Sequence, residues 1–155
     1  MALLVARPTG SVNLRALDTG ESPGVDTAMA ATPTPEQVRV LLTDTRQAPA
    51  DLDRLGLLFL EEGRPNIAMM FFERSGSKES LGRVLRQAVD GGDTFLVEWV
   101  YKVKPELVVP QDWSRTGEAA LKAGKYSFAR DAFRRAGDDA RVLEAEKALN
   151  QALGS

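Results

Sequence analysis

One spacing occurs twice in this chain, and it narrows the fold more than any other feature. Gly56, Gly63, Ala68, Phe72 and Gly76 return as Gly117, Gly124, Ala129, Phe133 and Gly137, each displaced by 61 residues. Leu60/Leu121 and Arg74/Arg135 match at the same offset, so 7 of the 21 positions from Gly56 to Gly76 are identical. A fixed-offset repeat points to stacked, self-similar units rather than to one irregular core.

The spacing is that of a helical hairpin. Leu52, Leu55, Leu58 and Phe59 recur at helical intervals and run into Glu61-Glu62-Gly63, where a glycine supplies the left-handed stop. Pro65 suits the first turn of a second helix, because its missing N–H would be unpaired there anyway, and Ile67, Ala68, Phe71 and Phe72 share one face. The second copy repeats the plan with Trp113, Ala120 and Leu121 before Gly124, then Tyr126, Phe128, Ala129, Ala132 and Phe133. Gly56, Gly117, Ala68 and Ala129 let paired helices approach closely, and Phe72 and Phe133 are expected to fill the groove between neighbouring hairpins.

Extending this period along the chain predicts an all-α fold of about eight helices from residue 36 to 155. Thr34 caps the first, with Glu36 among its opening acids. Ala50 to Glu62 and Pro65 to Ser75 form the first hairpin, and Glu79 to Val89 and Asp93 to Val103 a degenerate middle one that turns at Asp90-Gly91-Gly92-Asp93. Pro105 and Pro110 bracket a connection, and the chain re-enters the repeat at Trp113. Ala140 to Leu153, apolar at Val142, Leu143, Ala145, Leu149 and Leu153, reads as the capping helix an open-ended stack requires.

Residues 1–35 read differently. Thr9-Gly10, Ser22-Pro23-Gly24 and Thr32-Pro33-Thr34-Pro35 punctuate a stretch without helical period, which is expected to be an extended or disordered tail. Leu3 to Leu17 is nonetheless apolar enough to read as a ligand segment docking on the helical domain of its own or a neighbouring copy, with the following residues as linker. Gly24-Val-Asp-Thr-Ala-Met-Ala30 has the look of a junction, so that segment is either native or a fused peptide.

Composition removes most chemistry. Neither histidine nor cysteine occurs, which excludes thiol nucleophiles, imidazole bases, Ser-His-Asp triads and the usual zinc sites. The absence of cysteine fits a reducing, cytoplasmic compartment. With 20 basic against 22 acidic residues there is no basic surplus for nucleic acid, and the longest apolar runs fall far short of the roughly 20 residues a bilayer requires. The nearest phosphate-loop lookalike, ending in Gly124-Lys125-Tyr126, lacks both its first glycine and the metal-binding hydroxyl. Asp90 and Asp93 read as turn residues, Asp138 and Asp139 as solvated or capping groups, and no cofactor is expected. In Met69-Met70-Phe71-Phe72, four large residues overfill one helix face, so Met69 or Met70 must point away from the hairpin core and form a contact patch.

In the second copy, Trp113, Gly117, Gly124, Tyr126, Ala129, Phe133 and Ala136 stand where tetratricopeptide repeats carry their aromatic, small and packing residues. The chain resembles that family over about its last 105 residues, and residues 113–138 also resemble the helical arms of coat-type trafficking proteins. The first copy departs from the pattern at Leu52 and Ser75, which replace a tryptophan and an alanine. The resemblance implies a short α-solenoid acting as a non-catalytic adaptor or scaffold, with a concave wall lined by the first helix of each hairpin. Its inward positions map to Asp53, Arg54, Leu57, Leu60 and Glu61, and to Ser114, Arg115, Glu118, Leu121 and Lys122. The implied partner is a protein or extended peptide carrying apolar anchors and charges. The alternative is a self-assembling subunit that stacks on another copy through Met69 and Met70.

Overall fold

A computed structural model describes residues 31–154, and these form eight α-helices and one 3₁₀ turn, with no strand among them. The proposed ligand segment Leu3 to Leu17 and most of the tail lie outside the described residues. The helices are α1 (Pro35–Thr43), α2 (Pro49–Glu61), α3 (Pro65–Ser75), α4 (Lys78–Gly91), α5 (Thr94–Val103), α6 (Pro110–Lys122), α7 (Tyr126–Ala136) and α8 (Asp139–Leu153), with the 3₁₀ turn at Pro105–Leu107. The chain divides into two compact units, one ending at Ser77 and one beginning at Lys78.

The 61-residue offset governs helix boundaries as well as residues. Both ends of α2 and α3 recur at that offset in α6 and α7, and α4 and α8 start 61 residues apart. Pro49 and Pro110 each occupy the first turn of their helix, so α6 starts three residues earlier than its Trp113 signature suggests. The stop glycines behave alike: Gly63 and Gly124 adopt φ of 71° and 72°, and Gly76 and Gly137 end α3 and α7 at 68° and 74°. Past them, the N–H of Arg64 donates to the Phe59 carbonyl and that of Lys125 to the Ala120 carbonyl, both at 2.9 Å. These bonds satisfy carbonyls that the helix end would leave open.

Unit 1 is held by α3 packing on α2 and α1. Phe59 and Phe71 stack with centroids 5.6 Å apart, and Leu52, Leu55, Ala68 and Phe72 are buried around them. Thr34 caps α1 through a reciprocal exchange with Gln37. The Arg74 guanidinium donates to the carbonyls of Leu41, Leu42 and Asp44, closing the C-terminus of α1. Beyond that helix, Asp44 accepts from the Arg46 side chain at 2.9 Å and from its backbone N–H at 3.0 Å, contacts that hold the Asp44 carboxyl at about 2, below its usual 3.8.

In unit 2, α4 packs on α5 and α6, α5 on α6 and α7, α6 on α7, and α7 on α8. Ala120, Ala129, Phe133 and Ala145 form the buried centre where the last three helices meet, with Leu121 and Val142 against it. Asp93 caps α5 and Asp138 caps α8, each accepting a backbone N–H three residues on. The repeat arginine here, Arg135, reaches from α7 back to α5, pairing with Glu98 and lying 5.5 and 5.4 Å over the rings of Tyr101 and Trp113. Arg74 and Arg135 thus reach from the second helix of each hairpin to the helix before it.

The two phenylalanines of the repeat each close on the glycine of their own hairpin. A Cβ on Gly56 would stand 2.3 Å from Phe72 Cε1, and one on Gly117 would stand 2.6 Å from Phe133 Cε1. Each ring therefore meets the glycine of its own hairpin through its Cδ1–Cε1–Cζ edge, and Phe133 packs as well against Ala145 of α8, beyond that hairpin. The missing side chain is what lets the two helices of one hairpin close on a buried ring.

Candidate functional site

A groove of about 760 Å³ runs between α4 and α6 in unit 2. The turn between α4 and α5 explains its shape. Gly92 has φ of 63°, and a Cβ there would stand 2.4 Å from the backbone N of Ala120, so the turn presses on the α6 backbone where no side chain fits. Lys125 Nζ donates to the Gly91 carbonyl at 2.9 Å and fastens the same end. The two helices are pinned there, and the groove runs between them with Leu85, Val89 and Ala119 as its apolar floor.

Charge lines the rim. Arg86 and Asp90 come from α4; Asp112, Arg115, Glu118 and Lys122 come from α6. The anions are largely occupied by the fold itself. Asp112 accepts the Val109 N–H at 3.0 Å at the start of α6, and Glu118 accepts from Arg141 of α8 at 2.9 Å. Arg141 is held in turn with its guanidinium 5.0 Å over the Phe133 ring. Arg86, Arg115 and Lys122 have no ion pair among the described residues.

The expected wall residues separate accordingly. Arg115, Glu118 and Lys122 come together on the groove, whereas Leu121 faces the α6–α8 core and Ser114 is half-buried outside the lining. In unit 1, Arg54 and Glu61 are exposed, Leu57 and Leu60 half-buried, and Asp53 accepts from the Ser75 hydroxyl at 3.4 Å. Met69 is buried in unit 1 and cannot serve as a contact residue, because the period of α3 turns it inward beside Phe72; Met70 is the one that points out, 42% exposed. The α4 contribution, Leu85, Arg86, Val89 and Asp90, was not among the expected residues. Its signal was the apolar row Leu81, Val84, Leu85, Ala88 and Val89, which is wider than packing on one helix needs.

A second, more apolar depression of about 400 Å³ lies between α5 and α7, where Phe95 and Phe128 are 59% and 38% exposed. Its charges, Glu98, Asp131, Arg134 and Arg135, are paired with one another or with neighbours. Among the described residues no group of three carboxylates could hold a metal ion, and no helix is long and apolar enough to cross a membrane. Comparison of the chain with protein-family models, curated proteins and solved structures gave no match.

Proposed function

We propose that this chain is a non-catalytic protein-interaction module built from tetratricopeptide-like helical hairpins, and that it binds a segment of a partner protein in the α4/α6 groove. The observation that carries the reading is the groove itself: an apolar floor of Leu85, Val89 and Ala119 beneath three cations with no ion pair among the described residues. Pairing an apolar strip with a few fixed polar groups is how a surface obtains both area and orientation for a bound chain. The order in which α4 to α8 pack, each helix on its next one or two neighbours, supports a short solenoid.

The test is a random-peptide selection on the full chain, repeated on Ala119→Phe. Ala119 is half-buried on the groove wall, so a phenyl ring there fills the floor without changing charge. Selected peptides should lose binding to the variant while its helix content is kept. A selection whose peptides all bind parent and variant equally would move the site away from this groove. A second reading, self-assembly through a helix face, is favoured by the exposure of Met70; mass that stays constant with concentration in light scattering would remove it.

A further inference from the structure

Independently of the α4/α6 groove, the start of α5 and the start of α7 build a second contact surface. Phe95 is 59% exposed and Phe128 38%, and both line the hollow of about 400 Å³. Neither ring is demanded by the repeat. At the 61-residue offset Phe95 and Phe128 correspond to Thr34 and Ile67, and Thr34 serves its own copy as the cap of α1. In the second copy the cap is Asp93, which accepts the Leu96 N–H at 3.1 Å, and the Thr94 hydroxyl donates to the Phe128 carbonyl at 2.8 Å, pinning the two helix starts together. Phe95 is thereby held at the surface, edge-on to Trp99 one turn later with ring centroids 5.8 Å apart. A large apolar side chain kept out of the core, beside an apolar hollow with a charged rim, marks a contact surface.

We infer that the occupant of this hollow is the Phe95 ring of a second copy of the chain, the two copies pairing about a two-fold axis. The patch carries a knob and a hole side by side, the projecting Phe95 and the hollow next to it. Two-fold pairing is the arrangement in which one patch uses both, since each copy's knob meets the other's hole. Size permits the insertion. An apolar cavity of about 150 Å³ takes a benzene ring, and the hollow is larger than that. Charge permits it too. The rim residues Glu98, Asp131, Arg134 and Arg135 sum to zero, and each lies within an ion pair, Glu98 with Arg135 and Asp131 with Arg134 at 3.4 Å. Such a rim meets an identical one without net repulsion, whereas a partner of pronounced charge finds no net complement there.

The test is sedimentation of the full chain over a concentration series, with Phe95→Ser and Met70→Ser beside it. The parent should pass from one copy to two with a dissociation constant on the order of 0.1 mM, as befits a patch centred on two rings, and stop there because a two-fold pair leaves neither patch free. Phe95→Ser changes an exposed position, so it should keep the thermal unfolding of the parent while weakening the pairing by at least about tenfold, both copies having lost the central ring. Met70→Ser should pair like the parent, and the amides that shift with concentration should centre on residues 94–99 and 128–135. A parent that stays single up to about 1 mM overturns the pairing, and so does a Phe95→Ser variant that pairs as tightly as the parent. Growth past two copies overturns the two-fold arrangement. Amides of Leu3 to Leu17 that respond to Phe95→Ser in a chain that stays single would give the hollow to that segment and overturn the second copy as its occupant.

Discussion

Gly117→Ala should destabilise unit 2 even though alanine is the better helix former. In an exposed helix the exchange gains about 1 kcal/mol. Here the added methyl would stand 2.6, 2.7 and 2.9 Å from three atoms of the Phe133 ring, about 1 Å inside the 3.5–4.0 Å optimum for carbon contacts. The ring cannot swing away, because it is 1% exposed and boxed in by Ala120, Ala129 and Ala145. Overpacking of this kind costs about 1–3 kcal/mol, and with three ring atoms engaged the upper half of that range applies, for a net loss of about 1–2 kcal/mol. For a unit of this size that is a fall in Tm of roughly 4–8 °C per kcal/mol. Gly82→Ala in α4 is the internal control: its methyl meets only Arg86 Nη1 at 3.6 Å, so it should raise stability by about 0.5–1 kcal/mol. Thermal and urea unfolding of the two variants therefore move in opposite directions. Phe133→Leu combined with Gly117→Ala should recover part of the loss, a coupling visible in a double-mutant cycle. If Gly117→Ala is as stabilising as Gly82→Ala, the glycine-on-ring packing is wrong, and so is the shared logic of Gly56 and Phe72.

Other substitutions test the remaining joints. Gly92→Ala combines a positive φ with a methyl 2.4 Å from α6 backbone, which cannot yield, and should cost more than about 2 kcal/mol; Gly124→Ala, with similar φ and nothing within 4 Å, should cost only about 1 kcal/mol, as chemical denaturation would show. The Asp44 carboxyl is held at about 2 in the folded chain against 3.8, so its contribution is present above that ordinary value and is lost as the pH falls through about 2. The Tm difference between parent and Asp44→Asn should thus be constant near neutrality and close between about pH 4 and pH 2. Thr94→Val removes the hydroxyl that donates to the Phe128 carbonyl at 2.8 Å and should cost about 1 kcal/mol, with faster exchange in the first turn of α7.

What could be read ahead of the structure is what short-range chemistry specifies. Helical period, prolines at helix starts and glycines at stops placed every helix to within a few residues, and the repeat tied Gly56 and Gly117 to one packing role. The errors arise where the deciding contact is distant in sequence. Phe72 and Phe133 carry the same period whatever they touch, and the close approach of each ring to Gly56 or Gly117 leaves no trace in it. Met69 and Met70 are adjacent and chemically equivalent, and a rotation of one residue around α3 separates the buried one from the exposed one. Arg115, Glu118 and Lys122 were legible as one face of α6, yet their groove needs Leu85, Arg86 and Val89 from a helix without the repeat signature. The pairing of Glu118 with Arg141 spans 23 residues and has no local trace.

The same offset that relates the hairpins also shows how α8 differs from α4. The α4 face toward α6 runs through Leu85 and Val89, with Gly82 and Gly92 at its ends. Displaced by 61 residues, these become Leu143, Glu146, Asn150 and Leu153 on α8. Leu143 and Leu153 are 58% and 71% exposed, so the face holds apolar ends but a polar middle, and Glu146 reaches across to Arg134 at 3.8 Å. An apolar stripe interrupted at its centre offers a following helix too little continuous area to pack on, since contact there would take the exposed Glu146–Arg134 pair and the Asn150 amide out of water. Glu146→Leu with Asn150→Val would join the two leucines into one stripe of the kind α4 uses to seat α6. That variant should keep its helix content and form larger species with rising concentration, in a range where the parent does not, as read by sedimentation. If parent and variant sediment identically across that range, the polar middle of α8 is not what limits packing on this face.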